Sequence, residues 1–315
     1  MGNITVGFLA SLPTADRTRL LARAREVTDA SERWLRDYPV VRRSSVTAAC
    51  GLIAAVGMPL LAVPELSLLT RWWLWIFGVD DVFDDPAVPD EVVEAWGARF
   101  LQPGRRAPDL LLAAFDANRR DLARYPLFDS LDGAWDDGMA EVVRGMLVER
   151  RWHQALATDD LPSYEAYLDN GMTTIAMRPY TVTACVVGGE PAAARAFDMV
   201  APMILAAARC FRLANDLRSE ARERNEGKLN AVSLLQRIYA ADGIAEDQAL
   251  DVARTRLRET CAADLAYLDQ AHRSAPHEIG TLARFLWAHT AFVWDMYQFY
   301  DYDTMSTLLR ESAIT

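Results

Sequence analysis

The chain has 315 residues, of which 44 are acidic and 33 basic, so its formal net charge is −11 and its pI is about 4.9. Hydrophobic residues make up 51% of the sequence and charged residues 24%, a composition that excludes a disordered or collagen-like chain. The acidic balance argues against nucleic acid or an anionic membrane surface as a partner, because both attract basic proteins. An acidic protein that binds a polyanion needs metal ions or a local basic cluster.

Helical periodicity dominates the sequence, and alternating strand-like runs are scarce. In chain order, helical patterns cover 14–38, 65–84, 91–100, 108–125, 127–155, 192–226, 230–241, 246–272 and 277–305. Ser163 is a candidate N-cap for a further helix, and Gly227 is expected to end the helix over 192–226. Linkers are short and no change in composition marks a boundary, so the sequence predicts one all-α domain of about ten helices over residues 1–315.

Three features bear on where the protein resides. The 21 residues from 44 to 64 carry no charge, but Pro59 and Pro64 favour a buried core helix with a proline kink over a membrane span. The first residues lack the basic region of a secretion signal. The chain has four cysteines, which are Cys50, Cys185, Cys210 and Cys261. Their spacing is typical of neither a disulfide framework nor a metal site. We therefore expect a cytoplasmic protein that does not enter a membrane.

The first candidate metal site is Asp80-Asp81-Val82-Phe83-Asp84, at the end of the helix over 65–84. The spacing of Asp80, Asp81 and Asp84 predicts that the three carboxylates share a helix face. Like charges so spaced destabilise a helix by about 0.2–0.5 kcal/mol per pair, and they also oppose the helix dipole. Mg²⁺ would relieve this conflict because it prefers carboxylate oxygens. A solvated acidic helix end is the alternative.

The second candidate site is the segment NDLRSEARE, residues 215–223. Asn215, Ser219 and Glu223 recur every four residues, so one helix face presents an amide oxygen, a hydroxyl and a carboxylate. All three are oxygen donors suited to Mg²⁺. A polar helix face with Arg–Glu pairs is the alternative.

Together the two segments resemble the metal-binding motifs of class I terpene synthases. Residues 80–84, DDVFD, are similar to the aspartate-rich DDxxD motif, and residues 215–223 match NDxxSxxxE at every defined position. Their separation of 135 residues is similar too, and the resemblance extends from about residue 68 to 300. It implies an isoprenoid synthase fold, a single helical bundle around an apolar cavity, with a prenyl diphosphate as substrate.

The resemblance implies roles for individual residues. Three Mg²⁺ ions would be held at the cavity mouth by oxygen ligands from both motifs: Asp80, Asp84, Asn215, Ser219 and Glu223. Asp81 would be a further catalytic carboxylate, with Phe77 one turn earlier and facing inward with it. The remaining candidates for binding the substrate are Arg222, Lys228, Trp152 and Tyr300. Metals aimed at the diphosphate would let it depart, and a closed apolar cavity would keep water from the carbocation.

The chain departs from the family pattern in two places. Many bacterial members carry a diphosphate-sensing arginine in a YLxxR context, where this chain has Tyr167-Leu-Asp-Asn-Gly171. Arg178, two turns later, is a weaker substitute. The C-terminal Arg-Tyr pair is also missing, although Tyr300 lies near its place. The YLxNG variant is similar to bacterial enzymes that act on copalyl-type diphosphates, such as ent-kaurene synthases.

These features favour a class I diterpene synthase that converts a copalyl (labdadienyl-type) diphosphate. The sequence has no DxDD motif, so a separate class II cyclase would have to supply the bicyclic substrate. Cyclisation of linear geranylgeranyl or farnesyl diphosphate remains open, as does a homodimer. The alternative of another class is a non-catalytic helical protein with solvated acidic clusters.

Overall fold

The computed structural model describes residues 6–42, 46–102, 109–155 and 161–311, and within these ranges it contains helices and no strand. The helices, in chain order, are α1 (Gly7–Ser11), α2 (Thr14–Asp37), α3 (Thr47–Gly57), α4 (Val63–Phe83), α5 (Asp90–Phe100), α6 (Leu110–Leu122), α7 (Asp132–Ala155), α8 (Tyr164–Thr174), α9 (Met177–Gly188), α10 (Pro191–Arg195), α11 (Ala201–Glu226), α12 (Ala231–Ala241), α13 (Glu246–Ser274), α14 (Gly280–Tyr297) and α15 (Tyr302–Glu311). Short 3₁₀ segments lie at Phe128–Ser130, Phe197–Val200 and His277–Ile279.

Two helix boundaries expected from local sequence signals are confirmed. Ser163 caps α8, because its hydroxyl accepts the backbone N–H of Ala166 at 3.1 Å. Gly227 ends α11 in the left-handed conformation, with φ at +66°. The N–H of Lys228 then donates to the carbonyl of Glu223 at 2.8 Å, so the chain turns back toward α11.

Two long predicted helices are interrupted. The one predicted over 192–226 breaks at Ala196, and α11 begins after a 3₁₀ turn. The one predicted over 277–305 is divided by residues 298–301, where the side chain of Asp301 accepts the N–H of Thr304 at 2.8 Å and starts α15. Apolar periodicity continues across both breaks because the segments on either side face the same core, so periodicity alone did not locate them.

The uncharged stretch over 44–64 corresponds to α3, the connection after it and the start of α4. Every residue of α3 is buried, and the helix packs against α2, α4, α14 and α15. The expected proline kink is absent, because α3 ends at Gly57 before Pro59 and Pro64 lies in the first turn of α4. Residues 44 and 45 of this stretch lie outside the described ranges. No helix in the described ranges is long and apolar enough to cross a membrane.

A cluster of rings fills the centre of the bundle where α4, α9, α11 and α14 meet. The imidazole of His289 lies 5.1 Å from the ring of Phe211, 5.2 Å from that of Tyr180, 5.3 Å from that of Phe285 and 6.2 Å from that of Trp73. His289 is fully buried, and neither of its nitrogens has a hydrogen-bond partner among the described residues. Burial lowers the pKa of His289 to about 3, so its imidazole is neutral at physiological pH.

Candidate active site

The last turns of α4 direct part of the first acidic motif into a cavity of about 410 Å³. Phe77, Asp80 and Asp84 line it, because spacings of three and four residues place them on one helix face. Asp81 is absent from the lining, and its carboxylate accepts the backbone N–H of Arg42 at 2.9 Å. The prediction that Asp81 faces inward with Phe77 is therefore wrong. Asp81 instead forms a hydrogen bond with the segment that precedes α3.

The opposite wall of the cavity is α11, which presents all three predicted residues of the second motif. The amide nitrogen of Asn215 donates to the hydroxyl of Tyr297 at 3.0 Å, so the amide oxygen is left for another partner. The hydroxyl of Ser219 donates to the carbonyl of Asn215 at 2.8 Å. Asn230, at the start of α12, donates to Glu223 Oε2 at 2.8 Å and so holds this carboxylate in place.

Lys228 connects the two motifs across the cavity. The turn at Gly227 brings its Nζ to 2.8 Å from Asp84 Oδ2. Arg222 lines the same cavity, as predicted, and its Nε lies 3.8 Å from Glu226 Oε1. Lys228 and Asp84, which are 144 residues apart in the sequence, thus meet at one site.

The carboxylates of the site lie in a buried and crowded environment. Burial raises the pKa of Asp80 well above its usual range, and the neighbouring carboxylates of Asp84 and Glu149 raise it further. Burial also raises the pKa values of Glu149 and Glu223. Burial alone would lower the pKa of Lys228, but the carboxylates of Asp84, Glu226 and Asp80 together outweigh this effect and the pKa rises. Buried carboxylates that repel one another attract cations, whether ammonium groups or metal ions.

Arg212 is a cation in the cavity wall that the sequence analysis did not single out. Its Nη1 lies 3.1 Å from Glu149 Oε1, and its Nε lies 3.3 Å from Asp216 Oδ1. A Cβ atom at position 171 would lie 2.9 Å from Nε and 3.0 Å from Cδ of Arg212. The absence of a side chain at Gly171 therefore makes room for Arg212. Its spacing could have indicated this position, because Arg212 lies three residues before Asn215 and so shares a face of α11 with it.

The two aromatic candidates other than Phe77 lie elsewhere. Trp152 is outside the cavity lining and packs on the ring of Tyr167, at 6.4 Å between centroids. The next residue, His153, was not among the predicted site residues, but it lines the cavity. Its position follows from Glu149, because a spacing of four residues puts both on one face of α7.

Tyr300 is outside the lining as well, and its ring packs against Phe299 at 6.2 Å. The tyrosines that line the cavity are Tyr297 and Tyr302. The break between α14 and α15 changes the direction of the chain after Tyr297, which a continuous helix through residue 305 did not predict. Arg178 is exposed on α9 and lies 3.5 Å from Glu141, so it does not replace an arginine at position 171.

The donor atoms around the cavity match the ligand preferences of Mg²⁺. Carboxylate oxygens of Asp80 and Asp84 face the amide oxygen, hydroxyl and carboxylate of α11, a set made of hard oxygen donors. Within the described ranges, no three His, Cys, Asp or Glu side chains already converge on one point. The oxygen donors are distributed over two walls, which suits ions that also take phosphate oxygens as ligands.

A family model described as terpene synthase family 2, C-terminal metal binding, matches residues 71–263. The chain belongs to this family. The matched range contains the end of α4 and the whole of α11, so both walls of the cavity lie within the family region.

The curated relatives of this family member are plant proteins. Terpene synthase 17 of Solanum lycopersicum is 28% identical over 185 residues, which cover 54% of this chain and 32% of the relative. An ent-beyerene synthase of Oryza sativa subsp. japonica is 28% identical over 130 residues, which cover 41% of this chain and 15% of the relative. An ent-cassa-12,15-diene synthase of Oryza sativa subsp. indica is 32% identical over 124 residues, which cover 38% of this chain and 14% of the relative. The chain spans a third or less of the length of these relatives.

Solved structures establish the fold. The 2-methylisoborneol synthase of Streptomyces coelicolor A3(2), in complex with Mg²⁺ and 2-fluoroneryl diphosphate, superposes with a TM-score of 0.68 at 22% identity, covering 91% of this chain and 92% of that one. The linalool/nerolidol synthase of Streptomyces clavuligerus, in complex with 2-fluorogeranyl diphosphate, superposes with a TM-score of 0.63 at 21% identity. The match covers 88% of this chain and 93% of that one. The predicted all-α class I terpene synthase fold is thereby confirmed.

Proposed function

We propose that residues 1–315 act as one catalytic domain, a magnesium-dependent class I terpene synthase. The reaction is ionisation of a prenyl diphosphate, rearrangement of the carbocation and release of diphosphate. The observation that carries this proposal is the pair of oxygen-rich walls across one cavity, with Lys228, just after α11, reaching Asp84, just after α4. Membership of the terpene synthase family supports it.

In this proposal three Mg²⁺ ions are held by the oxygen donors of both walls, which are Asp80, Asp84, Asn215, Ser219 and Glu223. When bound, the ions stabilise the negative charge that develops on the departing diphosphate. Asn230 and Tyr297 orient two of the donors, Glu223 and Asn215, through the hydrogen bonds described above. The Mg²⁺ complex of the 2-methylisoborneol synthase supports the choice of ion.

The same proposal assigns the diphosphate to the cations of the cavity. Arg222 and Lys228 contact it from the end of α11, as the sequence resemblance implied. Arg212 contacts it from the middle of α11 and performs the task of the arginine that is missing at position 171. Its guanidinium can bind two phosphate oxygens at once, which a lysine cannot do.

Aromatic side chains of the cavity lining, Phe77 and Tyr302, receive the hydrocarbon part of the substrate. Phe77 and Tyr302 lie 5.0 Å apart, with their rings at 70°. Their faces stabilise passing positive charge, and their bulk excludes water from the carbocation.

We propose a copalyl-type diphosphate as the substrate, with a class II cyclase as its supplier. The names of the rice relatives, ent-beyerene and ent-cassa-12,15-diene synthase, support this choice together with the YLxNG segment. The two bacterial neighbours are complexes with 2-fluorogeranyl and 2-fluoroneryl diphosphate, analogues of linear diphosphates. This favours the second candidate, a cyclase of linear geranylgeranyl or farnesyl diphosphate.

The test is product analysis by gas chromatography and mass spectrometry. Purified protein with Mg²⁺ is offered farnesyl, geranylgeranyl and stereoisomeric copalyl diphosphates. We expect a diterpene from one copalyl isomer, and no product from Asp80→Ala or Asn215→Ala. Turnover of linear substrates alone would refute the copalyl assignment but not the chemistry. No product from any substrate would favour a non-catalytic helical protein.

A further inference from the structure

Tyr167 lies inside the protein beneath the guanidinium of Arg212. It belongs to α8 and is 1% exposed. The guanidinium carbon of Arg212 lies 4.7 Å from the centre of its ring. The phenol oxygen of Tyr167 accepts a hydrogen bond from Arg212 Nη2, and its hydroxyl donates to Asp216 Oδ2 at 2.9 Å. One buried side chain thus contacts Arg212 through both its ring and its hydroxyl.

Asp216 completes this arrangement from one turn further along α11. It is 1% exposed and is absent from the cavity lining, whereas Arg212 is part of the lining. Its Oδ2 also accepts the backbone N–H of Ala231 at 3.0 Å, which ties it to the start of α12. The carboxylate cannot follow Arg212 into the cavity without breaking these bonds.

A second carboxylate contacts the same guanidinium through a different nitrogen. Glu149 lines the cavity, and its Oε1 lies 3.1 Å from Arg212 Nη1. Glu149 and Asp216 contact the guanidinium through Nη1 and Nε. The phenol of Tyr167 adds a third contact at Nη2, and its ring lies against the guanidinium.

We propose that Tyr167 is the positioning residue that holds Arg212 in the orientation in which it binds diphosphate. The inference rests on the diphosphate site proposed above. Orientation that exists before binding costs no side-chain entropy when the ligand arrives, so it appears as tighter binding. Tyr167 itself does not contact the ligand, because it is not in the cavity lining.

The variant Tyr167→Phe tests this role without changing the charge or the ring. The probe is inorganic pyrophosphate with Mg²⁺, titrated by calorimetry into the full chain. We expect the Kd to rise about tenfold, as for the loss of a hydrogen bond to a charged group. In an Arg212→Lys background, which already lacks the planar fork, we expect Tyr167→Phe to change the Kd by less than twofold. The circular dichroism spectrum and the urea midpoint of each variant establish that it is folded.

A matched control is available outside the cavity. The hydroxyl of Tyr125 also donates to a carboxylate, Glu65 Oε1, at 3.1 Å, and neither residue lines the site. Tyr125→Phe should therefore leave the Kd for pyrophosphate within twofold of the wild-type value. An increase as large as that of Tyr167→Phe would mean that any lost phenol has this effect, and would overturn the proposal.

Two further outcomes would overturn the positioning role. One is an unchanged Kd in Tyr167→Phe. The other is an equal rise in the wild-type and Arg212→Lys backgrounds, because Tyr167 would then act independently of Arg212. These results differ from failure of the proposed function, in which the wild-type protein itself neither binds pyrophosphate with Mg²⁺ nor converts any prenyl diphosphate.

Discussion

Acidification should destabilise this protein through His289. The rings that surround His289 belong to Trp73, Tyr180, Phe211 and Phe285, and burial among them is the cause of its lowered pKa of about 3. The ordinary pKa of a histidine is near 6.5. Between pH 6.5 and 3, therefore, His289 is protonated in the unfolded chain and neutral in the folded protein. The stability due to the neutral imidazole is therefore complete above pH 6.5 and is lost as the pH falls from 6.5 toward 3.

The magnitude follows from the size of the shift. Each pH unit between the two pKa values changes the free energy of unfolding by about 1.4 kcal/mol. Going from pH 7.5 to pH 4.5 crosses about two such units, so His289 should account for a loss of about 3 kcal/mol. This is a large share of the ~5–15 kcal/mol by which proteins are usually stable.

The assay compares urea unfolding of the wild-type protein and His289→Phe at pH 7.5, 6.0 and 4.5. Phenylalanine keeps a planar ring in the cluster and removes both unpartnered nitrogens, so we expect the variant to be at least as stable at pH 7.5. Between pH 7.5 and 4.5 the variant should lose about 3 kcal/mol less than the wild-type protein. His277→Gln, at an exposed histidine, is the control and should behave as wild type. Equal losses in the wild-type protein and His289→Phe would refute the neutral buried imidazole.

Three further predictions concern the site and its supports. Gly171→Ala places a Cβ atom 2.9 Å from Arg212 Nε, so we expect calorimetry to show about tenfold weaker binding of pyrophosphate with Mg²⁺; unchanged affinity would contradict the role of Arg212. Asp80→Asn removes a buried charge among carboxylates, so thermal unfolding should occur at a higher temperature while product formation is lost; a lower Tm would contradict the repulsion inferred from its raised pKa. Ala176, between α8 and α9, has a left-handed φ of +56°, so Ala176→Gly should raise the free energy of unfolding by about 1 kcal/mol in urea titrations, and destabilisation would show that its methyl packing outweighs the strain.

Much of the site could be predicted from the sequence because the two motifs are local. Phe77, Asp80 and Asp84 share one helix face, as do Asn215, Ser219 and Glu223, and helical spacing decides this without reference to any other part of the chain. The helix end at Gly227 was equally local, and it places Lys228. The predicted inward orientation of Asp81 was wrong, because a spacing of three or four residues leaves a wide arc on the helix surface. Its carboxylate accepts the backbone N–H of Arg42 instead.

The residues that were missed are those whose roles depend on contacts between helices. Arg212 reaches the cavity because Gly171, on another helix, leaves space for it, and no pattern within α11 contains that information. Tyr302 replaces Tyr300 in the cavity because the chain breaks after α14, where Asp301 caps the next helix. His153 joins the site because α7 forms its third wall.

The sequence by itself determined the helical class, the family resemblance and the two oxygen-rich motifs, since these depend on residue type and on spacing within single helices. The tertiary structure alone decided that Arg212 joins the cations facing the motifs, which tyrosines line the cavity and which buried polar groups support the site. The physical reason is that such contacts join residues far apart in the chain, as Lys228 and Asp84 do at 2.8 Å. They depend on how helices are oriented around a shared core, which the periodicity of one helix does not specify.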